Sequence, residues 1–380
     1  MKNQRTFLCC LLLAAISPLT HAQTPYTPEP EIIDRINWYD AAKWDVEGKG
    51  WRDTNTHFSR LPARAKDVVS PLVWELSADS TGLVVRFKTD ATAIHVRHKV
   101  TGGRELSRAN NLTMPHMTTV GSSGLDLYAR DVDGRWRWAA SSRPNAMEYS
   151  QAILERATRG MREYMMYLPL YNHTAALSIG VPRGSYFEAL PPLDKKPIVH
   201  YGTSIAQGCS ATRAGFTYAA ILGRRLDYTV INFSFSGGAH MELAMADLIA
   251  EIDAEVYVLD CITNMSLELV NANAEPFIRR LRQLRPDVPI VLMEDRTRSN
   301  AWLLPEWANA HRTRRAALRG IYEKLVNEGM TRLGYIEGAT LFGDDDEGTV
   351  DGSHPTDLGM YRTANAMEPV LREALESVKK

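Results

Sequence analysis

The second half of the chain repeats one order of elements: a short apolar run, a polar or glycine-bearing turn, then a helical stretch. Apolar runs occur at Ile198 to Tyr201, Thr229 to Phe233, Val256 to Leu259 and Pro289 to Met293. Helical patterns fall between and after them, at Thr217 to Leu226, Ala239 to Glu251, Pro276 to Leu284, about 310 to 327 and about 357 to 378. Strands that alternate with helices build a parallel sheet covered by helices, and ligands in such folds collect beyond the carboxyl ends of the strands. The expected architecture of this half is therefore α/β, a parallel sheet covered by helices.

Upstream the texture differs. Short β-type segments recur between turn signals at Gly82 to Thr89, Ala93 to Val100, Leu125 to Asp131, Arg135 to Ala139, Tyr164 to Leu170 and Ala175 to Val181. This spacing predicts an all-β sandwich or jelly roll. Leu83, Val85 and Phe87 alternate with Val84, Arg86 and Lys88, the pattern of a strand with one largely apolar face. The paired prolines of Leu190-Pro191-Pro192 and the charges before Pro197 separate the two textures. The reading is a β-sandwich over residues 23–190, a linker at 191–197 and the α/β unit over 198–380.

Residues 1–22 read as a cleaved secretory signal: Lys2 and Arg5 precede an apolar run from Phe7 to Ile16, and a polar stretch ends at Thr20-His21-Ala22. The run is shorter than the roughly 18 residues a spanning helix needs, so no integral membrane segment is expected in the mature chain, which would be periplasmic or secreted. Cleavage would remove Lys2, Arg5, Cys9 and Cys10, and move the net charge from −1 to −3. With 44 basic against 45 acidic residues there is no basic footprint for nucleic acid, and 44% hydrophobic content argues against disorder. The two remaining cysteines, Cys209 and Cys261, cannot form a disulfide framework. A single bridge between them and two buried thiols both remain open, because spacing does not supply bridge geometry.

Chemistry-bearing residues gather at the expected strand ends. The first α/β strand runs into Gly202-Thr203-Ser204, which puts Ser204 at a strand-to-helix turn, a good place for a nucleophile. The second ends in Ser236-Gly237-Gly238, where glycine lets backbone N–H groups face an oxyanion. The third ends in Cys261-Ile262-Thr263-Asn264 and offers an amide at the same rim. Asp351-Gly352-Ser353-His354 precedes the last helix, so His354 could take a proton from Ser204 while Asp351 fixes its tautomer. Each motif alone is ordinary loop punctuation or helix capping; their order carries the signal.

That order, Ser, Gly, Asn and then Asp-x-x-His, resembles the SGNH (GDSL-like) hydrolase superfamily over residues 197–378. The resemblance implies Ser204 as nucleophile, Gly237, Asn264 and the Ser204 amide as oxyanion donors, and Asp351 and His354 as the other triad members. The usual Gly-Asp-Ser stands here as Gly202-Thr203-Ser204, and the usual Gly-x-Asn-Asp as Cys261-Ile262-Thr263-Asn264-Met265. Both departures are similar to those of a subgroup with an N-terminal companion domain named for Gly-x-Asp-Leu-Tyr, a signature present as Gly124-Leu125-Asp126-Leu127-Tyr128. The companion match covers roughly residues 30–188 and implies a sandwich packed against the hydrolase.

The resemblance implies an acyl ester substrate, either a small molecule or a polysaccharide, with a small acyl group on carbohydrate foremost. A glycan-binding protein with a vestigial hydrolase fold and a lipase or thioesterase are the alternatives. Trp302, near Trp307 and after Arg296, could stack on a sugar while Arg296 binds a polar group; His240 and Glu242 could line the pocket. Packing and helix-opening roles compete with each of these. Trp38, Trp44 and Trp51 could present a carbohydrate platform or seal the sandwich core, with the core reading foremost. His95 and His98, three apart on a strand, point to opposite faces and do not suggest a shared metal. The run Asp344-Asp345-Asp346-Glu347 lacks the spacing of a calcium loop. No zinc motif, phosphate loop or dinucleotide fingerprint occurs, so neither a metal nor another cofactor is expected.

Overall fold

The computed structural model describes residues 29–102 and 112–378; the expected leader, residues 1–22, lies outside them. Two antiparallel sheets precede one parallel sheet. The first holds β1 (Glu31–Ile33), β2 (Ile36–Asp40), β4 (Ile94–Gly102), β7 (Glu148–Leu154) and β9 (Asn172–Pro182), in the order β1-β2-β9-β4-β7. The second holds β3 (Val84–Thr89), β5 (Asp126–Arg130), β6 (Trp136–Ser141), β8 (Arg162–Tyr167) and β10 (Phe187–Ala189), in the order β10-β3-β8-β5-β6.

The alternation along β3 has a cause on both faces. Leu83, Val85 and Phe87 turn into the core between the two sheets with Leu127, Met166 and Ile179. Val84 faces the other way and joins Tyr128, Met165 and Tyr167 against the α/β unit. Arg86 is buried on that second face, where its Nη1 reaches the Glu47 carboxylate at 3.3 Å. The second sheet is thus the middle layer of the molecule. Trp44 is buried in the sandwich core, as expected, but Trp38 is buried on the opposite face of its sheet from Tyr39, with the Arg97 guanidinium 4.1 Å over its ring, and Trp51 packs on Phe233 of the α/β unit at 5.2 Å between ring centroids.

The parallel sheet has β11 (Ile198–Gly202), β12 (Val230–Ser234), β13 (Val256–Asp260), β14 (Ile290–Met293) and β15 (Leu333–Ile336), in the order β12-β11-β13-β14-β15. Helices Leu243–Ala250, Glu275–Leu284 and Pro305–Asn327 cover one face. Helices Tyr218–Leu226 and Asp357–Ser377 cover the other. Every residue of β11 and β13 is buried, which accounts for their mostly apolar character, broken only by His200 and Asp260. The chain passes from β11 to β12 on one side and from β12 crosses to β13 on the other, so the carboxyl end of β11 lies at a topological switch point, where open α/β sheets leave a crevice.

The upstream region is locked to this unit by buried polar contacts. Arg60, fully buried, donates to the carbonyls of Leu76, Asp79, Asn232 and Ser234. The Gly-x-Asp-Leu-Tyr signature supplies a second lock. Asp126, fully buried, accepts from Trp138 Nε1 at 3.0 Å, Arg213 Nη1 at 3.0 Å and the Gly215 N–H at 2.8 Å. Tyr128 donates to the Gly215 carbonyl at 3.3 Å. Residues Leu61 to Leu76, upstream in sequence, also contribute side chains to the α/β core. Among the described residues no helix is long and apolar enough to cross a membrane.

Candidate active site

Ser204 opens a one-turn helix, Ser204–Gln207, directly after β11, with Thr203 capping it by accepting from the Ile205 N–H. Gly202 permits the sharp turn, because a Cβ there would meet Ala206 Cβ at 2.7 Å. Gln207 ties this turn to its neighbours: Nε2 donates to Asp79 Oδ2 at 2.9 Å, and Oε1 accepts from the Ser236 N–H at 2.9 Å. The serine and the glycine-bearing loop after β12 are therefore held in register by one side chain.

Ser204 Oγ lies 3.0 Å from His354 Nε2, and His354 Nδ1 donates to Asp351 Oδ2 at 2.7 Å. Asp351 Oδ1 also accepts from the backbone N–H of Ser353 and of His354, so its carboxylate is fixed on both oxygens. The loop is anchored from outside, where Ser299 donates its N–H to the Gly352 carbonyl at 3.0 Å. Burial works to raise the Asp351 carboxyl, but the hydrogen bonds from the His354 ring and backbone outweigh it and hold it well below the usual carboxylate range. Burial likewise works to lower His354, yet Asp351 and the neighbouring Cys209 sulfur push it above the ordinary imidazole value. A hydroxyl so placed can pass its proton to Nε2 once that nitrogen is neutral, with the charge then shared against Asp351.

Two features that follow β12 and β13, the strands flanking β11, suit a developing oxyanion. Gly237 adopts φ +70, the left-handed region, with only Leu72 Cδ2 within 4.0 Å of where a Cβ would stand. The constraint at Gly237 is backbone conformation rather than space. Asn264 ends the turn Ile262–Asn264 after β13, and its Nδ2 is buried without a hydrogen-bond partner among the described residues. A buried amide donor left unpaired costs about 1–3 kcal/mol, a cost that an anionic oxygen placed there would remove.

The other expected contact residues divide. Trp302 is 76% exposed, on the segment that abuts the Asp351 loop. Glu242 accepts from Tyr201 Oη at 2.9 Å and from the His240 N–H at 3.2 Å, which occupies the carboxylate in shaping the turn before helix Leu243–Ala250. Arg296 is a correction: it is 1% exposed, and its guanidinium donates to both Asp260 oxygens at 2.6 and 2.7 Å. A cation that deep is committed to its carboxylate beneath the sheet rim and does not face a ligand. Cys209 and Cys261 are separate buried thiols.

Sequence reasoning missed the upstream residues that reach the serine turn. Tyr171 Oη donates to the Ser204 carbonyl at 3.2 Å. His116 stacks on His354 with ring centroids 5.4 Å apart, and its Nε2 lies 3.1 Å from Cys209 Sγ. Burial works to raise the Cys209 thiol, but the two imidazoles pull it down to about 7. The Gly-x-Asp-Leu-Tyr signature was the available hint that the sandwich reaches this face; nothing local in sequence singles out His116.

A doubly wound parallel sheet with a Ser–His–Asp relay at its switch point, joined to a two-sheet companion, defines a serine-hydrolase-like protein. The chain belongs to the GDSL-like Lipase/Acylhydrolase family, whose profile matches residues 195–372. Residues 36–187 match the GxDLY profile, the N-terminus of SGNH-hydrolase-type esterases. The structure is similar to that of a Bacteroides ovatus protein described as a GDSL-like lipase, with 30% identity, 90% of this chain and 98% of that one covered, and a TM-score of 0.84. A salicylyl-acyltransferase from a tetracycline biosynthetic pathway shares the fold at 19% identity, with 94% and 96% of the chains covered and a TM-score of 0.67. So does a family two carbohydrate esterase from Cellvibrio japonicus at 13% identity, with 90% and 99% covered and a TM-score of 0.57. No curated protein matches the chain in sequence.

Proposed function

We propose that the protein is a secreted or periplasmic serine esterase that removes small acyl groups, acetyl foremost, from carbohydrate O-esters. The observation that carries the reading is the continuous relay from Ser204 Oγ through His354 to Asp351, together with the buried Asn264 amide, partnerless among the described residues. In the reaction, neutral His354 takes the Ser204 proton as Oγ attacks the ester carbonyl. The Ser204 and Gly237 N–H groups and Asn264 Nδ2 receive the oxyanion. His354 then protonates the leaving sugar oxygen, and the acyl group remains on Ser204. Water, deprotonated by His354, attacks this acyl-enzyme and releases the carboxylic acid, which restores the serine.

Carbohydrate is favoured because the carbohydrate esterase from Cellvibrio japonicus shares the two-part architecture along nearly its whole length. Exposed Trp302 beside the Asp351 loop offers an aromatic face of the kind that packs on sugar rings. The leader-like residues 1–22 support export. The test is acetate release from acetylated plant oligosaccharides, run beside p-nitrophenyl acetate and a long-chain ester, with the wild type and Ser204→Ala. Acetate release that Ser204→Ala abolishes is expected. Turnover of long-chain esters alone would move the substrate to lipid, and retained turnover in Ser204→Ala would remove the serine mechanism.

A further inference from the structure

The proposed relay does not use two groups that touch it. His116, Cys209 and His354 each offer a ligand atom, and the three atoms lie within 4.8 Å of one another. His116 arrives from the sandwich side, 93 residues before Cys209, so the cluster exists only in the folded chain. We propose that these three residues form an inhibitory site for a thiophilic divalent cation, Zn²⁺ above all, which switches the esterase off by capturing the imidazole nitrogen that must accept the serine proton.

The donor set is that of zinc, two imidazoles and one thiolate, which leaves one position of a tetrahedron open. Tetrahedral zinc with bonds of about 2.0–2.3 Å holds its ligand atoms about 3.3–3.7 Å apart. The 3.1 Å from His116 Nε2 to Cys209 Sγ is close to that, and the 4.8 Å limit on the other separations requires only small side-chain adjustments. The His354 ring is already oriented for such binding. Asp351 accepts from Nδ1 at 2.7 Å, which fixes the tautomer and leaves the Nε2 lone pair for an ion, the carboxylate–histidine–metal arrangement common around bound zinc. Ser204 Oγ, 3.0 Å from Nε2, would lose this hydrogen bond to an ion that takes the Nε2 lone pair.

Binding exchanges the thiol proton for the cation: the S–H bond breaks, an S–Zn bond forms, and the proton passes to buffer. No oxidant or reductant is involved. The Nε2 lone pair, once bound to the metal, cannot receive the Ser204 proton, so inhibition follows from the same geometry that supports the esterase reading. The inhibitory consequence rests on that reading, whereas the metal site itself does not.

The experiment therefore has two readouts on the full-length mature protein. Cobalt(II), a spectroscopic stand-in for zinc, is expected to give a thiolate-to-metal charge-transfer band in the near ultraviolet with one equivalent bound. The band should persist in Ser204→Ala and vanish in Cys209→Ser. His116→Gln, at a less buried position, provides a second variant should Cys209→Ser fail to fold; it should bind cobalt at least tenfold more weakly. In the activity arm, zinc should inhibit p-nitrophenyl acetate turnover and a chelator should restore it. Each variant, compared with its own zinc-free rate, should need at least tenfold more zinc for half inhibition. Absence of the cobalt band from the wild type, or equal zinc sensitivity in both variants, would overturn the site. Loss of all esterase activity without metal would instead count against the proposed function, and the cobalt arm would still decide the site.

Discussion

Substituting Asn264 with alanine should lower activity sharply while leaving stability nearly unchanged. Asn264 Nδ2 is buried and makes no hydrogen bond to another described residue, so its removal breaks no protein hydrogen bond. Net stability, measured by urea unfolding, should therefore stay within about 1 kcal/mol of the wild type. In the transition state the same amide would donate to a full oxyanion, and loss of one such donor lowers kcat by about 100- to 1,000-fold, or 2.7–4 kcal/mol. The assay is kcat for p-nitrophenyl acetate beside the urea midpoint on the same preparations. An amide with a structural role gives the reverse: clear destabilisation with kcat within threefold of the wild type. That outcome would refute the oxyanion assignment.

Two further predictions follow from the charges. Asp126→Ala removes the carboxylate that holds Arg213 and the Gly215 N–H at the junction with the sandwich, and should cost about 3–5 kcal/mol in urea unfolding, as for other buried pairs broken on one side; a loss below about 1 kcal/mol would mean the signature aspartate is not a lock. His354 must be neutral to accept the serine proton. Because Asp351 and Cys209 raise its pKa against the effect of burial, kcat/KM should climb with pH through a limb above the ordinary imidazole value of about 6.5. Cys209→Ser should move that limb downward, and a limb at or below the ordinary value in the wild type would contradict the coupling.

The existence of the main elements was legible where burial imposes a pattern. β11 and β13 are buried along their whole length and read as apolar runs. β15 was missed because it is a four-residue edge strand only partly buried, so no apolar run marks it. β7 was missed because it closes the other edge of the first sheet with polar residues outward. Helix Pro305–Asn327 starts a turn earlier than expected; Pro305 at its first position was the available signal. Helix Leu243–Ala250 starts later than expected because Met241 takes a positive φ and the Glu242 carboxylate serves Tyr201 and His240.

The candidate site was legible to the extent that chain order dictates it. A parallel sheet brings residues after successive strands to one rim, so the order of Ser204, Gly237 and Asn264 along the chain, together with the family resemblance, grouped them. Arg296 was misplaced because it too follows a strand end, and its burial depends on Asp260 and Tyr218 across the sheet. His116 lies in a different domain-scale layer, and its meeting with Cys209 and His354 is a product of tertiary packing that no local pattern encodes.

The central claim is that Ser204 carries the acyl group. Rapid-quench intact-mass and peptide mapping of the protein mixed with p-nitrophenyl acetate tests it directly. One acetyl group on Ser204, absent from Ser204→Ala, is the predicted result. An acetyl group on Cys209, whose thiol lies beside the same His354, would assign the nucleophile to sulfur and contradict the account.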